Sequence, residues 1–472
     1  MKHTLAWVLA LPAILLRIAA VPAAQTQVRF GRLGPIEVYQ PATEPAHVVL
    51  QLSGRRGWTA RDAALARTLA ATDTLVLGVN LNHYLGRVAR LHCAYPAGDL
   101  EALSQYMQKR LRFSTYIPPV LAGRGLGATV AYGTLAQAPI GTFRGAVGFD
   151  FCPQRPLPRP LCRGDGWPMK RGPGGGYLPQ TGRLTAPWAV LNSTANPSCT
   201  PADAAHFVKQ VPSAQLTVLH ASQGEPAESD AAMALVRQAL LRIAGRPATV
   251  GLPGPVTDLP LVEVPATIPA NNYLVVMVSG DGGWAGLDRE VATALAARGY
   301  SVVGLNSLRY FWTRRTPKGA GQDLERILDY YLAHWNKQRV LLIGYSRGAD
   351  VLPFMVRQLP PALRRRINLI ALLGLGRHVD FEFHLSDWLP ITHRRSSALP
   401  IFPQIEALHA GRQILCIYGK DEAHSTCRKF TSRLGQTLEL KGGHHFDGAY
   451  ARLADLILKV LHKQNQTRYL QP

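Results

Sequence analysis

Gly344-Tyr345-Ser346-Arg347-Gly348 is a G-x-S-x-G pentapeptide set between an apolar run, Val340 to Ile343, and a helical stretch, Ala349 to Gln358. Strand, pentapeptide and helix in that order predict a nucleophile elbow, in which the serine Oγ stands exposed above a sheet. Glycines on either side let the chain turn sharply around a serine held in strained geometry. A serine attacks a carbonyl only if a base takes its proton, an acid orients that base, and donors receive the oxyanion. On this kind of fold the order along the chain is serine, acid, histidine. Two later loops supply candidates in that order: Tyr418-Gly419-Lys420-Asp421-Glu422 and Lys441-Gly442-Gly443-His444-His445. The G-x-x-[DE] spacing favours Glu422 over Asp421 as the acid. Counting from the strand end at Leu440 favours His445 over His444 as the base. The expected oxyanion donors are the backbone N–H groups of Arg347 and of Asp281 or Gly282, in the Ser279-Gly280-Asp281-Gly282-Gly283-Trp284 loop.

These residues need a sheet whose strand ends converge, and the sequence contains that pattern twice. His47 to Trp58 answers Tyr273 to Trp284: each is an apolar strand ending in S-G-x-x-G-W, followed by an Ala-rich helix. Further strands are expected at Thr74–Asn80, Pro118–Ala122, Phe143–Phe149, Pro187–Leu191 and Gln215–Leu219 in the first half. Their counterparts are Tyr300–Asn306, Val340–Ile343, Ile367–Leu373, Gln413–Tyr418 and Thr437–Leu440. Continuous apolar strands alternating with helices predict an α/β fold with mainly parallel sheets covered on both faces. The first copy is degenerate. Gly125 stands where the serine belongs, Ala195 at the acid position and Gln223 at that of the base. It is therefore expected to fold without catalysing, contribute nothing to the chemical step, and act by binding.

The predicted organisation is a signal segment over 1–23, a degenerate domain over 24–245, a Pro-rich linker over 246–269 and a catalytic domain over 270–472. Met1-Lys2-His3, the apolar run Thr4 to Leu16 and Val21-Pro22-Ala23 read as a secretory signal peptide, with Arg17 irregular for that pattern. Export permits disulfides: Cys416 is expected to pair with Cys427, and the four cysteines of the first half leave three pairings open. No cysteine–histidine spacing suits a metal, so neither metal nor cofactor is expected. An aromatic stretch, Arg377 to Gly411, occupies the place where such folds commonly carry a lid.

The charge balance is 52 Lys+Arg against 30 Asp+Glu, a formal +22. That excess favours anionic partners. Since no run of five or more basic residues is present, no dedicated nucleic-acid site is evident, and peripheral contact with a membrane surface is the better reading.

Ser279–Trp284, Gly344–Phe354, Gly419–Cys427 and Gly442–Asp447 together resemble the bacterial virulence protein family VirJ, and the two-domain layout is similar to its longer form, AcvB. The resemblance implies a periplasmic α/β-hydrolase-fold serine esterase that cleaves the aminoacyl ester of lysyl-phosphatidylglycerol to lysine and the anionic lipid. Proteins of this family are also linked to type IV secretion, which leaves an adaptor role beside secretion proteins as an alternative. A third reading is an esterase or thioesterase with another acyl substrate. A lysyl group would need acidic surroundings, for which Asp350 and Asp281 are the candidates, and Arg309 could hold a lipid phosphate.

Overall fold

The computed structural model describes residues 24–469 apart from 140, 154–156, 158, 163–169, 173–174, 179, 183, 185, 195–198, 221–229, 246–254, 386–397, 409–413 and 449. The expected signal segment, Ala195 and Gln223 lie outside the described residues, as does part of the expected lid. The first half runs β1 (Ala24–Phe30), β2 (Gly34–Gln40), β3 (His47–Leu52), α1 (Ala60–Ala70), β4 (Thr74–Val79), α2 (Leu81–Val88), α3 (Pro96–Arg110), β5 (Val120–Arg124), α4 (Leu126–Gln137) and β6 (Gly145–Phe149). It continues through β7 (Lys170–Gly172), β8 (Gly175–Tyr177), β9 (Trp188–Ser193), α5 (Pro201–Val208), β10 (Ala214–Leu219) and α6 (Asp230–Ala244). The second half runs β11 (Leu261–Val264), β12 (Tyr273–Val278), α7 (Gly286–Ala296), β13 (Ser301–Leu305), α8 (Ser307–Tyr310), α9 (Pro317–His334), β14 (Arg339–Tyr345), α10 (Arg347–Gln358) and α11 (Pro361–Arg366). It ends with β15 (Ile367–Leu373), β16 (His378–Val379), β17 (Leu399–Pro400), α12 (Phe402–Leu408), β18 (Ile414–Gly419), β19 (Gln436–Leu440) and α13 (Tyr450–Tyr469).

Two large sheets result, with strand orders β1-β2-β4-β3-β5-β6-β9-β10 and β11-β13-β12-β14-β15-β18-β19. Apart from the added β1, one order maps onto the other strand by strand. β3 and β12, the first strands of the repeat, each lie between two parallel neighbours. The fold is two tandem α/β-hydrolase-like sheets, mainly parallel. Alternation along β12 shows why it reads as a continuous apolar run. Leu274, Val276 and Val278 enter the core beneath α9 and α10, while Tyr273, Val275 and Met277 enter the core beneath α7 and α13. Helix starts are set locally. Thr59 and Asp62 form a capping box at α1, and Thr316 caps α9 with Pro317 in its first turn. The tryptophan of each S-G-x-x-G-W loop lies across a glycine of the next strand, Trp58 on Gly78 and Trp284 on Gly304, where a Cβ would come within 2.3 and 2.2 Å of the indole.

The edges differ from expectation. β2 and β11 are antiparallel strands beside β4 and β13, and β11 falls inside the stretch read as a Pro-rich linker. Pro260 and Pro265 bracket it; proline is barred from a central strand because it has no N–H, but an edge accepts it. Val256, Leu259 and Leu261 are buried in the second half's core, so from Val256 onward this stretch packs with the second half. All three disulfides lie within their own halves: Cys93–Cys162, Cys152–Cys199 and Cys416–Cys427.

The halves also share packing. Tyr116 of the first half is buried within the second half's core, its ring 5.4 Å from that of Trp312. The Trp312 indole Nε1–H donates to the Phe113 carbonyl at 2.8 Å.

Candidate active site

Ser346 sits between β14 and α10 with φ 50° and ψ −117°. That is a region L-residues seldom enter, and it costs on the order of 1–3 kcal/mol to hold. What holds it is close packing of backbone on backbone. A Cβ on Gly348 would lie 1.9 Å from the Val278 carbonyl oxygen, and one on Gly344 would lie 2.5 Å from that of Gly348. No other residue fits either position. The Ser346 N–H donates to the Leu373 carbonyl at 2.8 Å, tying the elbow to the end of β15. The following residue, Gly374, has φ +67°, and a Cβ there would meet the His444 ring at 2.6 Å.

The histidines differ from expectation. His444, not His445, meets the acid, its Nδ1 lying 2.6 Å from Glu422 Oε1. His445 is exposed, and its Nδ1 is 3.1 Å from the Tyr345 hydroxyl. The strand-end count failed because the chain does not leave β19 directly. Lys441 to Gly443 turn at Gly442, φ +83°, before the two histidines. Gly419 lies against the backbone there, a Cβ being 2.3 Å from the Gly443 carbonyl oxygen, so the acid and base loops are pressed together.

Glu422 closes its own loop, Oε2 accepting from the Gly419 N–H at 2.7 Å, while the neighbouring Asp421 is exposed. Burial pushes the Glu422 carboxyl up, but hydrogen bonds from His444 and Gly419 outweigh it and leave the group below the usual range. The Glu422 hydrogen bond, opposed by burial, raises the His444 imidazole above its ordinary value. Nδ1 is thus engaged by the acid, which leaves Nε2 as the nitrogen to serve a nucleophile. The Cys416–Cys427 bridge ties β18 to the segment following Glu422.

Of the expected oxyanion donors, the Arg347 amide opens α10 directly after the serine, at the positive end of the helix dipole. The Gly282 amide is engaged by the Asp281 carboxylate at 3.0 Å, which leaves the Asp281 amide as the loop's candidate. The side chain of Arg347 does separate work: Nη1 donates to the Asp380 carbonyl at 2.8 Å and the guanidinium stacks 3.9 Å above the Phe383 ring. Phe381 and Phe383, expected in a lid, are buried core residues.

Asp350 accepts from the Gly376 N–H at 2.7 Å and so has a structural duty. Burial pushes its carboxyl up to about 7, against the pull of that bond and of the charges on Arg347 and His444. The charge of Asp281 acts in the opposite sense on Asp350, and it also reaches His444 and Glu101 of α3. Glu101 is pushed up to about 8, first by burial and then by Asp281. No periodicity or motif marks Glu101; only the docking of α3 brings it toward the site. Burial and then the charge of Arg309 depress the Arg144 guanidinium, so Arg309 faces the first half.

No curated protein matches the chain. Among solved structures it is similar to a putative dienelactone hydrolase from Klebsiella pneumoniae, with 13% identity over 48% of this chain and 98% of that one, TM-score 0.36. It is similar to the esterase domain of a Rhodothermus marinus protein at 15% identity, 48% and 100% coverage and TM-score 0.34. A lidless α/β serine hydrolase from Xanthomonas campestris shares 16% identity over 48% of this chain and 94% of that one, TM-score 0.31. Residues 272–465, the part of the chain that holds Ser346, Glu422 and His444, match the family model of the bacterial virulence protein VirJ.

Proposed function

We propose that the second half is a serine esterase acting on the aminoacyl ester of an anionic phospholipid, lysyl-phosphatidylglycerol, at a membrane surface in the periplasm. The observation that supports the esterase in this reading is a serine in a strained elbow together with the 2.6 Å Glu422–His444 pair. In this scheme Ser346 Oγ attacks the ester carbonyl carbon as its proton passes to His444 Nε2. The Arg347 and Asp281 amides receive the oxyanion, and Glu422 steadies the imidazolium. Collapse breaks the carbonyl–alkoxy bond. The lipid glycerol oxygen leaves with the proton from His444, and the lysyl group stays esterified to Ser346. Water, deprotonated by His444, then attacks that ester; lysine departs and Ser346 recovers its proton.

Charge supports the choice of substrate. A chain of net +22 is drawn to an anionic membrane, yet the loop that lies against Ser346 carries the acidic side chain of Asp281. Such a site suits an acyl group that carries ammonium groups and disfavours a plain fatty ester. Purified protein is to be incubated with vesicles containing radiolabelled lysyl-phosphatidylglycerol, and free lysine followed. Release by wild type but not by Ser346→Ala is expected. Release at equal rate by both would remove the serine mechanism. Turnover of soluble esters without release of lysine would keep the esterase and reject the lipid.

A further inference from the structure

Lys109, in the last turn of α3, reaches across to the second half at two points. Its Nζ donates to the Trp312 carbonyl at 2.6 Å and lies 3.0 Å from Glu382 Oε1. These two acceptors belong to separate segments of the second half, each bonded onward toward a proposed oxyanion donor. Trp312 follows α8, whose first residue, Ser307, is tied to Ser279 at the head of the oxyanion loop. The Ser307 N–H donates to Ser279 Oγ at 2.9 Å, and Ser307 Oγ donates to the Ser279 carbonyl at 2.6 Å. Glu382 lies between Asp380 and Phe383, the two residues that hold the Arg347 side chain beside Ser346. The segments are themselves laced together, the Phe383 N–H donating to Phe311 O at 3.0 Å and the Arg315 N–H to Phe381 O at 2.9 Å. A single ammonium from the half that lacks a nucleophile therefore closes a ring of contacts around both proposed sources of oxyanion donors. The Lys109 side chain is 17% exposed and that of Glu382 25%, so this pair is screened far less than a surface pair.

We propose that Lys109 of the first half is a positioning residue for the second half's active site, fixing the Ser307–Trp312 and Asp380–Phe383 segments and, through them, the Asp281 and Arg347 amides. The catalytically silent half is then a working part of the catalytic unit, contrary to the expectation that it contributes nothing to the chemical step. Misplacing donors by about 1 Å can cost on the order of 100-fold in rate without weakening substrate binding. The expected signature is a loss in kcat with KM little changed. The kinetic side of this inference rests on the proposed esterase activity; the structural side does not.

The test uses the full-length chain with Lys109→Met, Lys109→Arg, Glu382→Ala and the Lys109→Met/Glu382→Ala double variant. Amide hydrogen exchange is read over 279–284, 306–315 and 380–383, and kcat and KM are measured on a soluble lysyl ester. In Lys109→Met, exchange is expected to quicken in all three segments and kcat to fall between about tenfold and 100-fold, with KM within twofold. Lys109→Arg should restore most of both, and the double variant should be no worse than the worse single one, since both changes break one link. Exchange and kcat at wild-type values in a folded Lys109→Met would overturn the proposal. So would additive losses in the double variant, or a lowered melting temperature with kcat intact. If Lys109→Met does not fold, Glu382→Ala, which leaves the Trp312 bond in place, is expected to quicken exchange over 380–383 and lower kcat. If no ester is turned over by the wild type, the proposed function fails while the exchange measurement still decides this one.

Discussion

Gly125 and Ser346 occupy the same place in the two halves and nearly the same backbone conformation, φ 52°, ψ −112° against φ 50°, ψ −117°. The flanking glycines behave alike too. A Cβ on Gly127 would lie 2.5 Å from the Leu52 carbonyl oxygen, as one on Gly348 would meet that of Val278. The first half thus keeps the whole apparatus for straining a nucleophile and has no side chain to strain. Elbow geometry is therefore a property of the strand–glycine–helix frame and not of the serine; chemistry needs the added loops. In the second half those loops are bound to one another, Glu422 to Gly419 and to His444, and Gly419 to the backbone at Gly443.

The largest effect is expected from removing the Ser346 hydroxyl, which Gly125 at the same place in the first half lacks. Ser346→Ala is expected to lower kcat/KM on a soluble ester by on the order of 10⁵-fold or more, in line with triad deletions. Residual turnover near wild type would mean that Ser346 is not the nucleophile. Next come the two histidines. His444→Ala should cost on the order of 10³-fold or more and His445→Ala less than about tenfold, because only His444 meets the acid. The reverse ranking would show that the working arrangement differs from this one.

Much of this could be read from the chain. The repeat, the mainly parallel sheets and the elbow follow from apolar runs and glycine spacing, which are local signals. That Glu422 rather than Asp421 turns inward was legible as well, since a carboxylate three residues after Gly419 can turn back onto that glycine's amide. What was not legible depended on contacts between distant segments. Choosing between His444 and His445 required knowing how the Gly442 turn packs on Gly419. β11 hid among prolines, because composition cannot tell an edge strand from a linker. The reach of Lys109 to Trp312 and Glu382 spans more than 200 residues of sequence, and nothing near Lys109 announces it.

The role of the acid is open to test through pH. His444 must be neutral to accept the serine proton, so activity should rise with pH as the imidazolium deprotonates. Glu422 raises the imidazole, and Glu422→Gln removes that charge. The acid limb of kcat/KM should then move to lower pH, while kcat falls by on the order of 10²- to 10⁴-fold. A pH profile left in place would show that Glu422 does not govern the base. Glu101 offers a milder effect. Its carboxyl is held up to about 8 by burial, so the folded state favours the protonated form. Stability is greatest below the unfolded carboxyl range and declines as pH rises toward 8. Glu101→Gln should melt above wild type at pH 9 and close to it at pH 5; equal melting at both values would contradict the burial of an ionisable group between the halves.

The smallest effect bears most directly on the two elbows, and it concerns stability alone. At φ near 50° and ψ near −115° a serine bears backbone strain of roughly 1–3 kcal/mol that a glycine does not. Glycine gives back about 0.4–1 kcal/mol through the larger entropy of its unfolded chain. Ser346→Gly should therefore stabilise the protein by about 1 kcal/mol. Gly125→Ser should destabilise it by a similar amount, since a Cβ at Gly125 meets nothing within 4 Å and adds no clash. Denaturant midpoints at unchanged slope measure both. Opposite signs of similar size would mean that the frame imposes the same strain in each half and that the second half retains it for function. If Gly125→Ser is neutral while Ser346→Gly stabilises, the first elbow relaxes when filled, and the strain at Ser346 is imposed by the surrounding loops rather than by the frame.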